Sequence, residues 1–442
     1  MTKPIPNADL DAALADAEAR YIAANPKSRA RHDAARASLP GGNTRSVMWY
    51  HPFPVTLVAG SGARVQDIDG HNYVDFVSEY SAGLYGHTDA AIQAAMIEAV
   101  RSGVALGGPN RFEAALGGEL VSRFPALDRV RFTNSGTEAN IMAISTARAV
   151  TGRPTVVAMR EGYHGGVLTF AHGGSVLNLP FPWLMADFND VEGTEALLRA
   201  HADDIACVIL EQMLGGGGCI RASDAYLQML RRVTAEIGAL LIFDEVMTSR
   251  LHVGGMQSIT GVTPDLMTLG KYIGGGASFG AFGGRADLMD RFDPETPGAF
   301  SHGGTFNNNI LSMAAGYAGL TKVLTPEASA RFNALGDRLR LAMQDRIDAH
   351  GVAAEMTGQG SLFNLHFLPK GSVQPATVES ADPRPGKLWH LEMMLAGQYV
   401  TPRGMIAMSL PHADADVDGL TTAFDRFLED YRTILPKAEV AA

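Results

Sequence analysis

Residues 240–276 read LLIFDEVMTSRLHVGGMQSITGVTPDLMTLGKYIGGG, and this stretch decides the fold. Leu240, Leu241, Ile242 and Phe243 form a continuous apolar run, the kind that fills a strand buried on both faces of a parallel sheet. The run ends in Asp244-Glu245, so the strand delivers a carboxylate to the sheet's C-terminal edge, where open α/β sheets hold their ligands. A second apolar piece, Leu266 to Leu269, ends in Gly270-Lys271 and brings an amine to the same edge. Outward from this pair, short apolar segments at 130–132, 155–159, 205–210, 239–243, 265–269 and 279–283 alternate with helical stretches, which predicts an α/β fold with a mainly parallel sheet covered on both faces.

A carboxylate and an amine on successive buried strands suit one chemistry well. In pyridoxal 5'-phosphate enzymes a lysine holds the cofactor as a Schiff base, and an acid pairs with the pyridinium nitrogen to keep the ring an electron sink. Lys271 is the candidate for the first role and Asp244 for the second. Spacing alone also permits, and more readily, Asp244 as a strand-end cap and Lys271 as a solvated loop cation.

The runs FDEVMTSR and PDLMTLGKYIGGGASFGAFGG resemble the cofactor-lysine signature of class III (subgroup II) aminotransferases. Within that class the wording is closest to the β-amino-acid (β-phenylalanine) aminotransferases and similar to glutamate-1-semialdehyde 2,1-aminomutases. The resemblance covers roughly residues 39–325 and returns near Arg403. It implies the fold-type I architecture, with a large mixed, mainly parallel sheet domain and a smaller α+β domain built from both termini. The implied segments are 1–75 (N-terminal helix and small-domain strands), 76–330 (large cofactor-binding domain) and 331–442 (C-terminal small domain).

Composition bounds the reading. The 442 residues exceed one ordinary core, and 46% hydrophobic with 19% charged residues is a folded composition. A net charge of −11 argues against nucleic acid or an anionic membrane as partner, so an anionic substrate has to rely on local arginines. Cys207 and Cys219 sit in no metal-ligand spacing and no HExxH occurs, so no metal is expected. The N-terminal stretch lacks a signal-peptide core and no apolar run approaches about 18 residues, which leads to the expectation of a soluble, cytoplasmic protein.

The remaining candidates lie on loops after the predicted strands. Asn134-Ser135-Gly136-Thr137-Glu138 joins a strand to a helix start, where free backbone N–H groups and the Ser and Thr hydroxyls can hold a phosphate. As a bare pattern it is also an ordinary N-cap. In the resembling family this string is the phosphate cup, which assigns Ser135, Gly136 and Thr137. Tyr163, in Gly162-Tyr163-His164-Gly165, is either a loop tyrosine or a ring that stacks on the pyridine; the family implies stacking, with Val246 pressing the other face. Glu211 ends a strand where the family has V-E-P and this chain has Leu210-Glu211-Gln212; the resemblance places it near the cofactor's phenolic oxygen. Gly215 to Gly218 reads as a flexible surface turn.

Thr305, in Gly304-Thr305-Phe306, resembles the family threonine that reaches the phosphate in the neighbouring subunit, which implies a homodimer with shared active sites. Arg45, after Gly42-Asn43-Thr44, matches the arginine that β-phenylalanine aminotransferases use for the β-amino acid carboxylate, and the aminomutases read differently there. Arg403, in Pro402-Arg403-Gly404, matches the C-terminal arginine linked to the keto-acid acceptor. Guanidinium offers carboxylates a bidentate fork, although most arginines are solvated. The expectation is a transaminase moving an amino group from a β-amino acid to a 2-oxo acid (2-oxoglutarate or pyruvate). The alternatives are a glutamate-1-semialdehyde aminomutase, an amine:pyruvate ω-transaminase, or a non-catalytic protein that binds the cofactor.

Overall fold

The computed structural model describes residues 9–438; the outermost parts of the expected terminal segments, 1–8 and 439–442, lie outside the described residues. Contacts divide the chain into two units. One consists of Ser81–Tyr85 and Asp89–Asn333; the other takes the chain up to Tyr80, Gly86–Thr88 and the chain from Ala334 onward.

The first of these, the sheet unit, carries β1 (Arg129–Thr133), β2 (Thr155–Met159), β3 (Trp183–Ala186), β4 (Ile205–Leu210), β5 (Leu240–Asp244), β6 (Leu266–Gly270) and β7 (Gly280–Gly284). They form one seven-stranded sheet in the order β1-β7-β6-β5-β4-β2-β3. Pairing is parallel from β6 through β3, whereas β7 runs antiparallel to both β6 and β1. The reversal follows from length: residues 271–279 are too few for the crossover that a parallel neighbour needs.

Every residue of β4 and β5 is buried, as their unbroken apolar runs require. The helix Gly136–Thr151 lays Ala139, Ala143, Ile144 and Ala147 against Val156, Ala158, Cys207, Ile209 and Ile242. Alanine at the contact lets the helix axis approach the sheet closely, and each larger aliphatic buried there contributes roughly 1.5–3 kcal/mol. Gly280 permits a second close approach, since a Cβ at that position would overlap the carbonyl of Ser135. The helix start is thereby held directly over the end of β7.

The terminal unit contains a four-stranded sheet of Leu57–Ser61, Arg64–Asp67 and Asn72–Asp75, with Gln398–Tyr399 added parallel to the third. A three-stranded sheet combines Glu355–Gln359, Leu362–His366 and Met405–Ala407. Helices Leu10–Ala24 and Arg384–Leu395 pack together, joined by an Arg20–Glu392 ion pair. After Asp75 the backbone does something unusual: Ser78, Glu79, Tyr80 and Ser81 take φ values of 43°, 51°, 51° and 76°. Left-handed backbone costs a non-glycine residue roughly 1–2 kcal/mol. The turn is secured by Asp75, whose Oδ1 accepts from the N–H groups of Val77 and Ser78 at 2.9 Å each, and by Tyr80 N–H donating to the Val77 carbonyl at 2.9 Å.

Candidate active site

In the sheet unit the C-terminal ends of β5 and β6 lie side by side, with Asp244 in register with Thr268. Lys271 follows β6 by one residue and takes a left-handed φ of 52°, so its half-buried side chain leaves a strained turn, a common condition at functional sites. Asp244 is only 4% exposed and is surrounded by donors. Its Oδ2 accepts from Asn140 Nδ2 and His164 Nδ1, each at 2.8 Å, and its Oδ1 accepts from the backbone N–H of Val246 at 3.0 Å.

The orientation of Asn140 is fixed by chemistry. Thr268 Oγ1 donates to Asn140 Oδ1 at 2.6 Å, which turns Nδ2 toward two acceptors, Asp244 and the His164 carbonyl at 2.9 Å. The proton of His164 must sit on Nδ1, because that nitrogen faces a carboxylate; its Nε2 is buried without a hydrogen-bond partner.

The other candidates in this unit converge on the same edge. Ser135 caps the helix Gly136–Thr151, its Oγ accepting from Glu138 N–H at 3.2 Å, and the next two residues occupy the first helical turn, where N–H groups lack intrahelical acceptors. Val246 is wedged against this turn: a Cβ on Gly136 would come 2.8 Å from Val246 Cγ1, and one on Gly270 would come 3.1 Å from it. Thr137 backs onto Gly165, where any Cβ would overlap its side chain. Tyr163 remains 48% exposed while its backbone N–H donates to Glu211 Oε2 at 3.0 Å.

Glu211 also accepts from Gly215 N–H at 2.9 Å through Oε1. Burial holds its carboxyl well above the usual carboxylate range; His164 opposes this rise, and the neighbouring charge of Asp244 adds to it. The expected flexible surface turn at Gly215 to Gly218 needs correction: all but Gly216 are buried, because Met213–Leu214 and Ile220–Arg221 pair and fold the turn inward against Met247 and Glu211. Where the family has proline, Gln212 is buried and donates to Thr260 Oγ1 at 2.7 Å, anchoring this loop by a side chain.

Thr305 is exposed, and its segment is tied back to the cup by Asn134 Nδ2 donating to Asn307 Oδ1 at 3.0 Å. Arg45 and Arg403 belong to the terminal unit. There Arg45 forms an ion pair with Glu79 and its guanidinium carbon stands 5.7 Å from the centre of the Tyr80 ring. Burial raises the Tyr80 phenol, and the charges of Arg403 and Arg45 oppose that rise, so both arginines act on one aromatic residue. Arg403 is exposed, its carbonyl accepting from Asn364 Nδ2 at 3.0 Å.

Sequence reasoning missed Asn140, His164 and Thr268 around Asp244. A signal existed for the first: an asparagine among the alanines of a buried helical face is costly unless it is bonded. It also missed Glu245, which is fully buried and accepts from the N–H groups of Met256 (2.6 Å) and Gln257 (3.0 Å), capping the short helix Met256–Thr260 from a distance.

The residues present fit pyridoxal phosphate. A buried carboxylate oriented by three donors keeps acceptor capacity for a pyridinium nitrogen, a capped helix start suits a phosphate, and Tyr163 is an exposed aromatic in the same unit as the strained Lys271. Fold and site together define a fold-type I pyridoxal-phosphate enzyme. The class III aminotransferase model matches residues 46–382, and the chain belongs to that family.

The chain is 46% identical over 432 residues to a β-phenylalanine transaminase of Variovorax paradoxus, covering 98% of this chain and 99% of the relative. The crystal structure of a β-phenylalanine aminotransferase from Variovorax paradoxus superposes with a TM-score of 0.96 at 46% identity, covering 97% of this chain and 100% of that one. An ω-transaminase from Sphaerobacter thermophilus gives a TM-score of 0.85 at 38% identity, over 92% and 98% of the two chains. A glutamate-1-semialdehyde 2,1-aminomutase of Thermomicrobium roseum is 36% identical over 87% of this chain and 94% of its own length. The protein is a pyridoxal-phosphate-dependent transaminase with an α/β fold.

Proposed function

We propose that this transaminase takes the amino group from a β-amino acid, an aromatic one such as β-phenylalanine, and passes it to a 2-oxo acid, 2-oxoglutarate or pyruvate, in a ping-pong sequence. The observation that carries this reading is the 46% identity, end to end, with a β-phenylalanine transaminase. Pyridoxal phosphate, when bound, supplies an aldehyde that takes up the amine and a ring that withdraws electrons from the substrate carbon.

The chain supplies the rest. Asp244, oriented by Asn140 and His164, would pair with the ring nitrogen. Lys271 would hold the cofactor's aldehyde, and its Nζ would serve as general base and then general acid at the substrate carbon. Ser135, Gly136 and Thr137 would hold the phosphate, Tyr163 and Val246 would enclose the ring, and Glu211 would serve the phenolic oxygen side. Arg45 binds the carboxylate of the amino donor, and Arg403 serves the acceptor.

We further propose a cytoplasmic homodimer with shared active sites. Thr305 and Phe306 are exposed on a single chain, as residues that serve a partner would be, and the chain carries only two cysteines, both buried.

Purified enzyme given β-phenylalanine and 2-oxoglutarate is expected to yield glutamate and the matching 3-oxo acid. Failure to form glutamate, with turnover of glutamate 1-semialdehyde instead, overturns the reading in favour of an aminomutase. Turnover confined to simple arylalkylamines with pyruvate makes the protein an ω-transaminase. A cofactor spectrum that no amine alters makes it a non-catalytic binder.

A further inference from the structure

Arg45 immediately precedes a short helical turn, Ser46–Met48, in extended backbone, and its side chain is 45% exposed. An arginine so placed has many rotamers, yet a carboxylate-binding guanidinium must be aimed. The structure supplies an aiming device on the left-handed turn. Tyr80 touches the Arg45 segment twice: its ring carries the Arg45 guanidinium at 5.7 Å, and its hydroxyl donates to the Val47 carbonyl at 2.7 Å. One residue therefore grips both the side chain and the backbone that bears it. Glu79, the preceding residue of the same turn, pairs with the guanidinium as well.

The conformation that makes this possible is not the default for these residues. Glu79 and Tyr80 both take φ of 51°, which a bulky aromatic rarely adopts, and Asp75 secures the turn through the Val77 and Ser78 N–H groups. Strain of this kind persists where surrounding contacts over-determine it, and here the contacts lead to one arginine. The charge of Arg403 also opposes the rise that burial gives the Tyr80 phenol, so both arginines bear on this residue electrostatically.

We propose that Tyr80 is the positioning residue for Arg45: its ring and hydroxyl together set the guanidinium direction that makes the enzyme prefer amino donors bearing a carboxylate. This rests on the assignment of Arg45 to the donor carboxylate. Cation–π contact and a backbone anchor are both short-range, so the effect falls on carboxylate recognition and leaves proton transfer at Lys271 untouched.

The test uses holoenzyme variants Tyr80→Leu and Tyr80→Phe with β-phenylalanine and, in parallel, 1-phenylethylamine, which has no carboxylate. Tyr80→Leu is expected to raise KM for β-phenylalanine about tenfold while kcat and the KM for 1-phenylethylamine change less than about twofold. Tyr80→Phe, which keeps the ring and loses the hydroxyl anchor to Val47, is expected to give a KM for β-phenylalanine between those of the unmodified enzyme and Tyr80→Leu. Equal shifts for both donors, or none for either, overturn the proposal. So does a loss with Glu79→Gln that Tyr80→Leu fails to show, which assigns the aiming to the ion pair.

A second readout is independent of turnover: the rate at which phenylglyoxal modifies Arg45, followed by peptide mass spectrometry, is expected to rise at least threefold in Tyr80→Leu. An unchanged rate defeats the proposal even if β-phenylalanine proves not to be a substrate. A raised rate with no β-phenylalanine activity in the unmodified enzyme defeats only the substrate assignment.

Discussion

Asp244 and Arg45 are both charged residues assigned to ligand recognition, and their surroundings are opposites. Asp244 is 4% exposed, and its oxygens accept from a buried helix residue, a buried loop histidine and the backbone of the turn that follows its own strand. Arg45 has a side chain 45% exposed, pairs with a Glu79 that is 53% exposed, and rests on a turn that had to be forced into left-handed backbone. The difference follows from what each must do. Steering electrons into a bound ring needs a fixed charge in a low-dielectric setting that does not reorganise, which a sheet edge provides. Taking up a donor carboxylate and letting it go again needs a cation that water and a weak ion pair can release, since exposed pairs are worth only about 0–1 kcal/mol.

This contrast predicts two different mutational signatures. Asp244→Asn replaces an anion among four polar neighbours with an amide that opposes the N–H groups of Asn140 and His164. It is expected to lower kcat about 10²–10³-fold, equally for donors with and without a carboxylate, as removal of a preorganised electrostatic group does. A loss confined to carboxylate-bearing donors, measured by steady-state kinetics, would move Asp244 out of the cofactor role.

Arg45→Ala should show the reverse pattern and a smaller effect. A hydrogen bond to a charged group contributes about 1.5–3 kcal/mol, so KM for β-phenylalanine is expected to rise about ten- to a hundredfold, with 1-phenylethylamine little altered. Comparable losses for the two amines would erase the distinction between the regions.

The two regions also differed in how far they could be read from sequence. The ends of β5 and β6 were visible because an apolar run stopping at Asp244, and another stopping at Gly270-Lys271, carry their own geometry: strand direction alone puts both groups on one edge. The family resemblance added Tyr163, Val246 and the phosphate cup, which the sheet unit brings together around that edge. What could not be read was pairing at a distance. Asn140 and His164 reach Asp244 from a helix and a loop far along the chain, and no local pattern encodes that. The reversed sense of β7 was legible in principle from its short connection, whereas β3 was not, since Trp183–Ala186 is a four-residue edge strand with mixed exposure. The left-handed turn was invisible for a definite reason: Ser78-Glu79-Tyr80-Ser81 contains no glycine or asparagine, so nothing advertised positive φ.

The smallest effect sharpens the comparison from inside the buried region. Glu245 lies beside Asp244 on the same strand end, but its donors, two backbone N–H groups and the Gln257 side chain, do not keep it ionised against complete burial. Burial pushes its carboxyl up to about 7 from an ordinary value of 4.5. Between those two values the folded protein holds a proton that the unfolded chain has released, so this residue makes stability fall as pH rises through that window. Glu245→Gln replaces the carboxyl with a group that never ionises. The variant's deficit in melting temperature relative to the natural chain is therefore expected to be largest near pH 5 and to shrink by a few degrees by pH 8. A deficit that grows with pH would mean that Glu245 works as an anion, and that the sheet edge holds two fixed negative charges where only Asp244 is assigned one.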